Sequence, residues 1–250
     1  MKYFIEPTLE TEKMIPVVTV GPDIPDVDQL PRVLVIHGLH DAKNFWVSYM
    51  YGLAQAGFVA VAPDLRLHGE RADAVHRDVM LEKDFAGAMR EIVYDTAKDV
   101  RMLLDVWAPR NYRWGLVGIS AGGFIAHVLA LEEKRIEAMS IVLSSPDWLT
   151  VDPEKTPHLL TPAGQVLAAL SPVNHHGKYA PVALQMLNGD GDMTVRHVGS
   201  VKLHDRLKPV YKAKGISDRL DLRIYPGYPH EYKSDQQQAS LEWLQRWLLK

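Results

Sequence analysis

From Arg32 to the C-terminus, short continuous apolar runs alternate with longer segments of helical periodicity, and this rhythm constrains the fold more than any other feature of the chain. The runs are Val33–Ile36, Phe58–Val61, Leu116–Val117, Ile141–Leu143, Leu184–Leu187 and Leu222–Tyr225. Most are unbroken rather than alternating, the pattern of parallel strands covered on both faces. Most reach Gly, Pro, Asp or Ser within a residue or two, where a strand opens into a loop. Val93, Ala97, Val100, Leu104 and Trp107 share one face of a helix over 91–107, and 121–132 reads as another. The last segment opens Ser234-Asp235-Gln236-Gln237, a capping-box pattern, and sets Trp243, Leu244, Trp247 and Leu248 on a face that should pack against the sheet. Together these predict an α/β fold with a doubly wound, mostly parallel sheet and helices on both faces.

Two segments interrupt the rhythm. Residues 66–90 are polar and charged, and 148–180 are rich in Pro, His and Thr. Both should run over the strand ends, where sheets of this kind bind ligands. One domain over 1–250 is expected, with a small cap-like insertion at about 148–180. The net charge of −3 gives no footprint for nucleic acid or an anionic membrane. The absence of cysteine excludes disulfides, thiolate metal sites and a sulfur nucleophile. The start, MKYFIEPTLETEK, has no apolar signal segment, and no stretch approaches ~18 apolar residues, so a soluble, cytoplasmic protein is expected.

Gly118-Ile119-Ser120-Ala121-Gly122 fits G-x-S-x-G between a predicted strand and a predicted helix. The chemistry needs that spacing. A serine on a sharp strand-to-helix turn is exposed on strained backbone, the flanking glycines prevent clashes, and the helix N-terminus faces developing negative charge. Chance gives roughly 0.1 such motifs in a chain of this length, so partners must decide.

A serine hydroxyl needs a base, and the base needs an orienting carboxylate. After Ser120 one predicted strand runs into Asn188-Gly189-Asp190-Gly191-Asp192, and a later one into Pro226-Gly227-Tyr228-Pro229-His230. Both would end at the same sheet edge as Ser120. Of eleven histidines, only His230 combines chain order, a strand end and a glycine-containing approach. His127, His158, His175, His176, His197, His204 and His76 read as surface or packing residues, while His37 and His68 should hold loops by hydrogen bonds. Asp190, Asp192 and Asp147 all stand as candidates for the acid.

Val35-Ile36-His37-Gly38-Leu39, Gly118–Gly123, Gly189–Val195 and Pro226–His230, in that order, resemble the α/β-hydrolase superfamily, above all the small serine esterases related to dienelactone hydrolases and prolyl oligopeptidase catalytic domains. The resemblance covers about 32–250. It selects Asp192 as the acid through G-x-x-D followed by x-x-V. It implies an oxyanion hole from the N–H groups of Leu39 and Ala121. Pro63-Asp64-Leu65-Arg66-Leu67-His68-Gly69-Glu70-Arg71 is similar to the family's D-x-x-x-H-G loop, and there Glu70 and Arg71 are expected to pair. His-Gly-Leu-His departs from the H-G-G-G type, so that branch's substrate preferences do not transfer. His40 and Trp148 are candidate substrate contacts.

The reading is a serine carboxylesterase with catalytic Ser120, Asp192 and His230, acting on esters of small to medium acyl chain without metal or cofactor. An aminopeptidase, amidase or acyltransferase with the same triad is the alternative, and a non-catalytic binding member of the fold is a third. The expected partner is a small-molecule ester, and the sequence leaves the oligomeric state open.

Overall fold

The computed structural model describes residues 2–10, 15–151 and 156–249. Eight strands form one sheet: β1 (Tyr3–Glu10), β2 (Ile15–Pro22), β3 (Arg32–Ile36), β4 (Val59–Pro63), β5 (Trp114–Ile119), β6 (Ile136–Val142), β7 (Ala183–Gly189) and β8 (Leu220–Tyr225). Their order is β1-β2-β4-β3-β5-β6-β7-β8. The pairs from β4 through β8 are parallel, as expected of runs that are mostly continuous and apolar. β1 and β2 were missing from the sequence reading, which starts the sheet at Arg32. They are antiparallel to each other, and β2 is antiparallel to β4. Prolines 16 and 22 sit inside β2 and disguise it, although all its residues but Thr19 are buried.

The helices are α1 (Val47–Gln55), α2 (Ala74–Lys83), α3 (Phe85–Ala88), α4 (Asp95–Trp107), α5 (Ala121–Glu132), α6 (Pro162–Leu170), α7 (Val198–Ala213) and α8 (Ser234–Leu248). α1 and α8 cover one face, closing a core of Val33, Val35, Met50, Leu53, Trp243 and Leu244. α4, α5 and α7 cover the other, around Leu34, Ile36, Leu103, Leu116, Ile125 and Leu203. Among the described residues, no helix is long and apolar enough to cross a membrane.

Two helix boundaries differ from expectation. The helix predicted over 91–107 begins as a wide π-turn, Met89–Tyr94, and continues as α4. At α8 the cap is shifted by one residue: the Gln236 side-chain oxygen accepts the Lys233 N–H at 3.0 Å, leaving Ser234 as the first helical residue. Side-chain reach, not residue preference, decides the register there.

The parallel arrangement matters most for chemistry. It brings the carboxyl ends of β3, β5, β7 and β8 to one edge, and each opens into a loop carrying a candidate residue.

Candidate active site

β5 ends at Ile119 and α5 begins at Ala121, so Ser120 alone turns the chain. Its φ of 52° and ψ of −113° cost a non-glycine residue about 1–3 kcal/mol. Neighbouring bonds hold the strain: the Ser120 N–H donates to the Val142 carbonyl at 2.9 Å, and its own carbonyl accepts the Gly123 N–H at 2.8 Å. Two glycines allow the close approach. A Cβ on Gly118 would stand 2.5 Å from the Gly122 carbonyl oxygen, and one on Gly122 would stand 1.9 Å from that of Ile36.

His230 follows β8, and its Nε2 lies 2.8 Å from Ser120 Oγ. Its Nδ1 lies 2.6 Å from Asp192 Oδ2. The carboxylate fixes the tautomer: Nδ1–H donates to Asp192, leaving the Nε2 lone pair to accept the serine proton. Asp192 is buried, and its other oxygen accepts the N–H groups of Thr194 at 2.9 Å and Val195 at 2.8 Å. The rival acids stand elsewhere. Asp190 is exposed and accepts the Gly227 N–H at 2.5 Å, tying the acid loop to the histidine loop. Asp147 accepts from Lys202 Nζ at 2.6 Å.

The loop after β3 carries the other expected donor. His37 is wholly buried, and its Nε2 accepts the Leu65 N–H at 3.2 Å. Its Nδ1–H must therefore donate to the Gly38 carbonyl, 2.8 Å away. Burial pushes the imidazole down to about 4, so it stays neutral at physiological pH. In a trans peptide the C=O and N–H point in opposite directions. Holding the Gly38 carbonyl against His37 thus turns the Leu39 N–H away from that ring. Among the described residues neither this N–H nor that of Ala121 has an acceptor, and both residues line the cavity beside Ser120.

Behind this loop lies a charged cluster that the sequence reading missed. Asp64 is wholly buried and accepts the Lys43 N–H at 3.0 Å, Lys43 Nζ at 2.7 Å and the Glu70 N–H at 3.0 Å. Lys43 Nζ also bonds Glu70. Burial works against the Lys43 ammonium, but these carboxylate bonds outweigh it and raise its pKa. The expected Glu70–Arg71 pair is therefore corrected: Glu70 pairs with Lys43, and Arg71 with Asp99 at 2.7 Å. Lys43 lies 21 residues before Asp64, a separation with no sequence signature.

A cavity of about 390 Å³ opens at Ser120. Leu81, Phe85, Met89, Ile92 and Val93 form one wall, and Ala121, Phe124 and Val195 form another. Most of the cover thus comes from the 66–90 excursion and the π-turn after it. Of the expected cap at 148–180, only Val151 among the described residues lines the cavity, and 152–155 lie outside them. The wall had a signal: 81, 85, 89, 92 and 93 recur at helical spacing. His40 lines the mouth, with φ 65°. Trp148 does not contact the cavity. It is wholly buried behind Phe124, 6.4 Å between ring centres, and packs edge-on to Tyr94 at 5.6 Å. Nor do the other buried histidines reach it. His68 Nδ1 bonds the Arg66 carbonyl at 2.7 Å, and His127 Nδ1 lies 2.9 Å from the Tyr179 hydroxyl. Among the described residues no group of three or more His, Asp or Glu is arranged to hold a metal ion.

The sequence profile of the alpha/beta hydrolase fold matches residues 31–175, more than half of the chain. The chain belongs to that family. This alpha/beta hydrolase is 28% identical over 134 residues to YitV of Bacillus subtilis (strain 168), an esterase by name. That match covers 52% of this chain and 51% of YitV, so it spans about half the length of the curated relative. Two solved structures share the fold over the whole of both chains. TT1662 from Thermus thermophilus superposes with a TM-score of 0.77 at 23% identity. A Klebsiella pneumoniae protein named as a dienelactone hydrolase superposes with 0.69 at 15% identity.

Proposed function

We propose that this alpha/beta hydrolase is a serine carboxylesterase acting on esters of small to medium acyl chain. The observation that carries the reading is the relay from Ser120 Oγ to His230 Nε2, 2.8 Å, and from His230 Nδ1 to Asp192 Oδ2, 2.6 Å. His230 removes the Ser120 proton as Oγ attacks the ester carbonyl, and Asp192 stabilises the resulting imidazolium. The N–H groups of Leu39 and Ala121 stabilise the oxyanion, a contribution of ~10²–10³ in kcat per donor. The tetrahedral intermediate collapses, the imidazolium protonates the departing alcohol, and an acyl-Ser120 ester remains. Water, deprotonated by His230, then releases the acid and restores Ser120. The esterase name of YitV supports the same reaction class. Hydrolysis of p-nitrophenyl butyrate by the wild type and its loss in Ser120→Ala test the proposal; undiminished turnover in the variant would overturn it. Added alcohol or thiol acceptors separate hydrolysis from acyl transfer in the same assay.

A further inference from the structure

The cavity wall is apolar, and among the described residues that line it the two carboxylates, Asp78 and Glu82, are both exposed. α2 places Asp78 and Glu82 four residues apart, hence on one face, and both line the cavity. Asp78 meets Arg77 at 2.9 Å, a bond that holds its carboxyl below the usual range. Glu82 is exposed and has no ion-pair partner among the described residues. No Lys or Arg is among the described residues that line the cavity, and the other titratable group at the mouth is His40.

Resting on the esterase reading, we propose that this site selects esters whose acyl group is apolar and free of negative charge, and disfavours acyl groups ending in a carboxylate. An uncharged chain exchanges water for Phe85, Met89, Ile92 and Phe124 and gains from that burial. A carboxylate making the same move loses hydration, meets no cation among the described residues of the wall, and must pass Asp78 and Glu82. The specificity therefore combines an attractive wall with a repulsive mouth.

The test compares p-nitrophenyl esters of nearly equal size: the adipic acid monoester, its methyl ester, and the 6-aminohexanoic ester. At low salt the anionic substrate should show kcat/KM at least about tenfold below its methyl ester, and the gap should narrow at about 0.5 M NaCl. The cationic substrate loses hydration too but is attracted at the mouth, so its kcat/KM should fall, not rise, with the same added salt. In Glu82→Lys the anionic-to-neutral ratio should rise several-fold, with Glu82→Gln between wild type and Lys. Equal kcat/KM for anionic and neutral esters, or a ratio unmoved by Glu82→Lys, overturns the inference while Ser120-dependent turnover of the methyl ester leaves the esterase reading standing. Absence of Ser120-dependent turnover of all three overturns both.

Discussion

Replacing His37 probes the least obvious part of the site, because this residue should act only through its neighbours. His37→Leu leaves the Leu65 N–H without its acceptor at 3.2 Å and takes from the Gly38 carbonyl its 2.8 Å donor, leaving it only the Asp41 N–H at 3.4 Å. The orphaned N–H costs roughly 1–3 kcal/mol and the lost Gly38 bond roughly 0.5–1.5 kcal/mol, so denaturant unfolding should report a loss of about 2–4 kcal/mol. Held only by the long Asp41 bond, the Gly38–Leu39 peptide can rotate, and the Leu39 N–H is then absent for part of the time. The kcat for p-nitrophenyl butyrate should fall toward the ~10²–10³ expected for one missing oxyanion donor, with KM little changed. His37→Asn keeps an N–H donor near the Nδ1 position and should recover part of that loss. The pH dependence has a definite sign. The folded protein holds His37 at about 4, below an ordinary value of 6.5, so between these the unfolded chain binds a proton that the folded one refuses. The stability is fully present above pH 6.5 and is lost as pH falls toward 4, by about 3 kcal/mol in all. His37→Asn should flatten that slope. A folded Leu variant with wild-type kcat would refute the peptide-orientation argument, and an unaltered acid slope in the Asn variant would refute the linkage.

Asp192→Asn should lower kcat by roughly 10³–10⁴-fold, because a carboxamide there permits the wrong tautomer of His230, while steady-state rates for Asp190→Asn should stay within a few-fold, since a carboxamide oxygen still accepts the Gly227 N–H. Asp64→Ala leaves the Lys43 ammonium, 2% exposed, with only the solvent-exposed Glu70 carboxylate and orphans the Lys43 and Glu70 N–H groups, so guanidinium unfolding should show about 3–5 kcal/mol less stability. Gly122→Ala drives a Cβ to 1.9 Å from the Ile36 carbonyl oxygen and should cost at least about 3 kcal/mol or prevent folding. Gly52→Ala, inside α1 with no atom within 4 Å of the new methyl, should instead stabilise by about 0.5–1 kcal/mol, seen as a higher Tm.

Local signals and tertiary ones divide what the sequence revealed. The central runs beginning at Val33 were legible because burial on both faces leaves a nearly continuous apolar string, and Ser120 because its strained turn demands glycines at fixed spacing. Asp192 and His230 were legible because parallel strands bring successive loop starts to one edge. The choice of Asp192 over Asp190 needed the family resemblance, since both acids flank one glycine and only the fold shows which reaches the imidazole. β1 and β2 escaped because their antiparallel pairing lies outside the strand–helix rhythm and prolines interrupt their pattern. The Lys43–Asp64–Glu70 cluster joins residues from two loops and has no periodicity to read. The cavity wall was concealed by charge: Asp78, Glu82 and Lys83 made the segment look solvated, although Leu81, Phe85 and Met89 share a helical stripe. Trp148 misled in the opposite way, since a tryptophan beside a strand end supports the pocket here by packing behind Phe124.

The central claim is that Ser120, activated by His230, is the nucleophile. Its most direct test is to treat the protein with a fluorophosphonate, measure the intact mass, and map the modified peptide. The account predicts one adduct, on Ser120, absent in Ser120→Ala and formed far more slowly in His230→Ala. An adduct on another residue, or persistent ester hydrolysis by a protein that takes no label at Ser120, would contradict it.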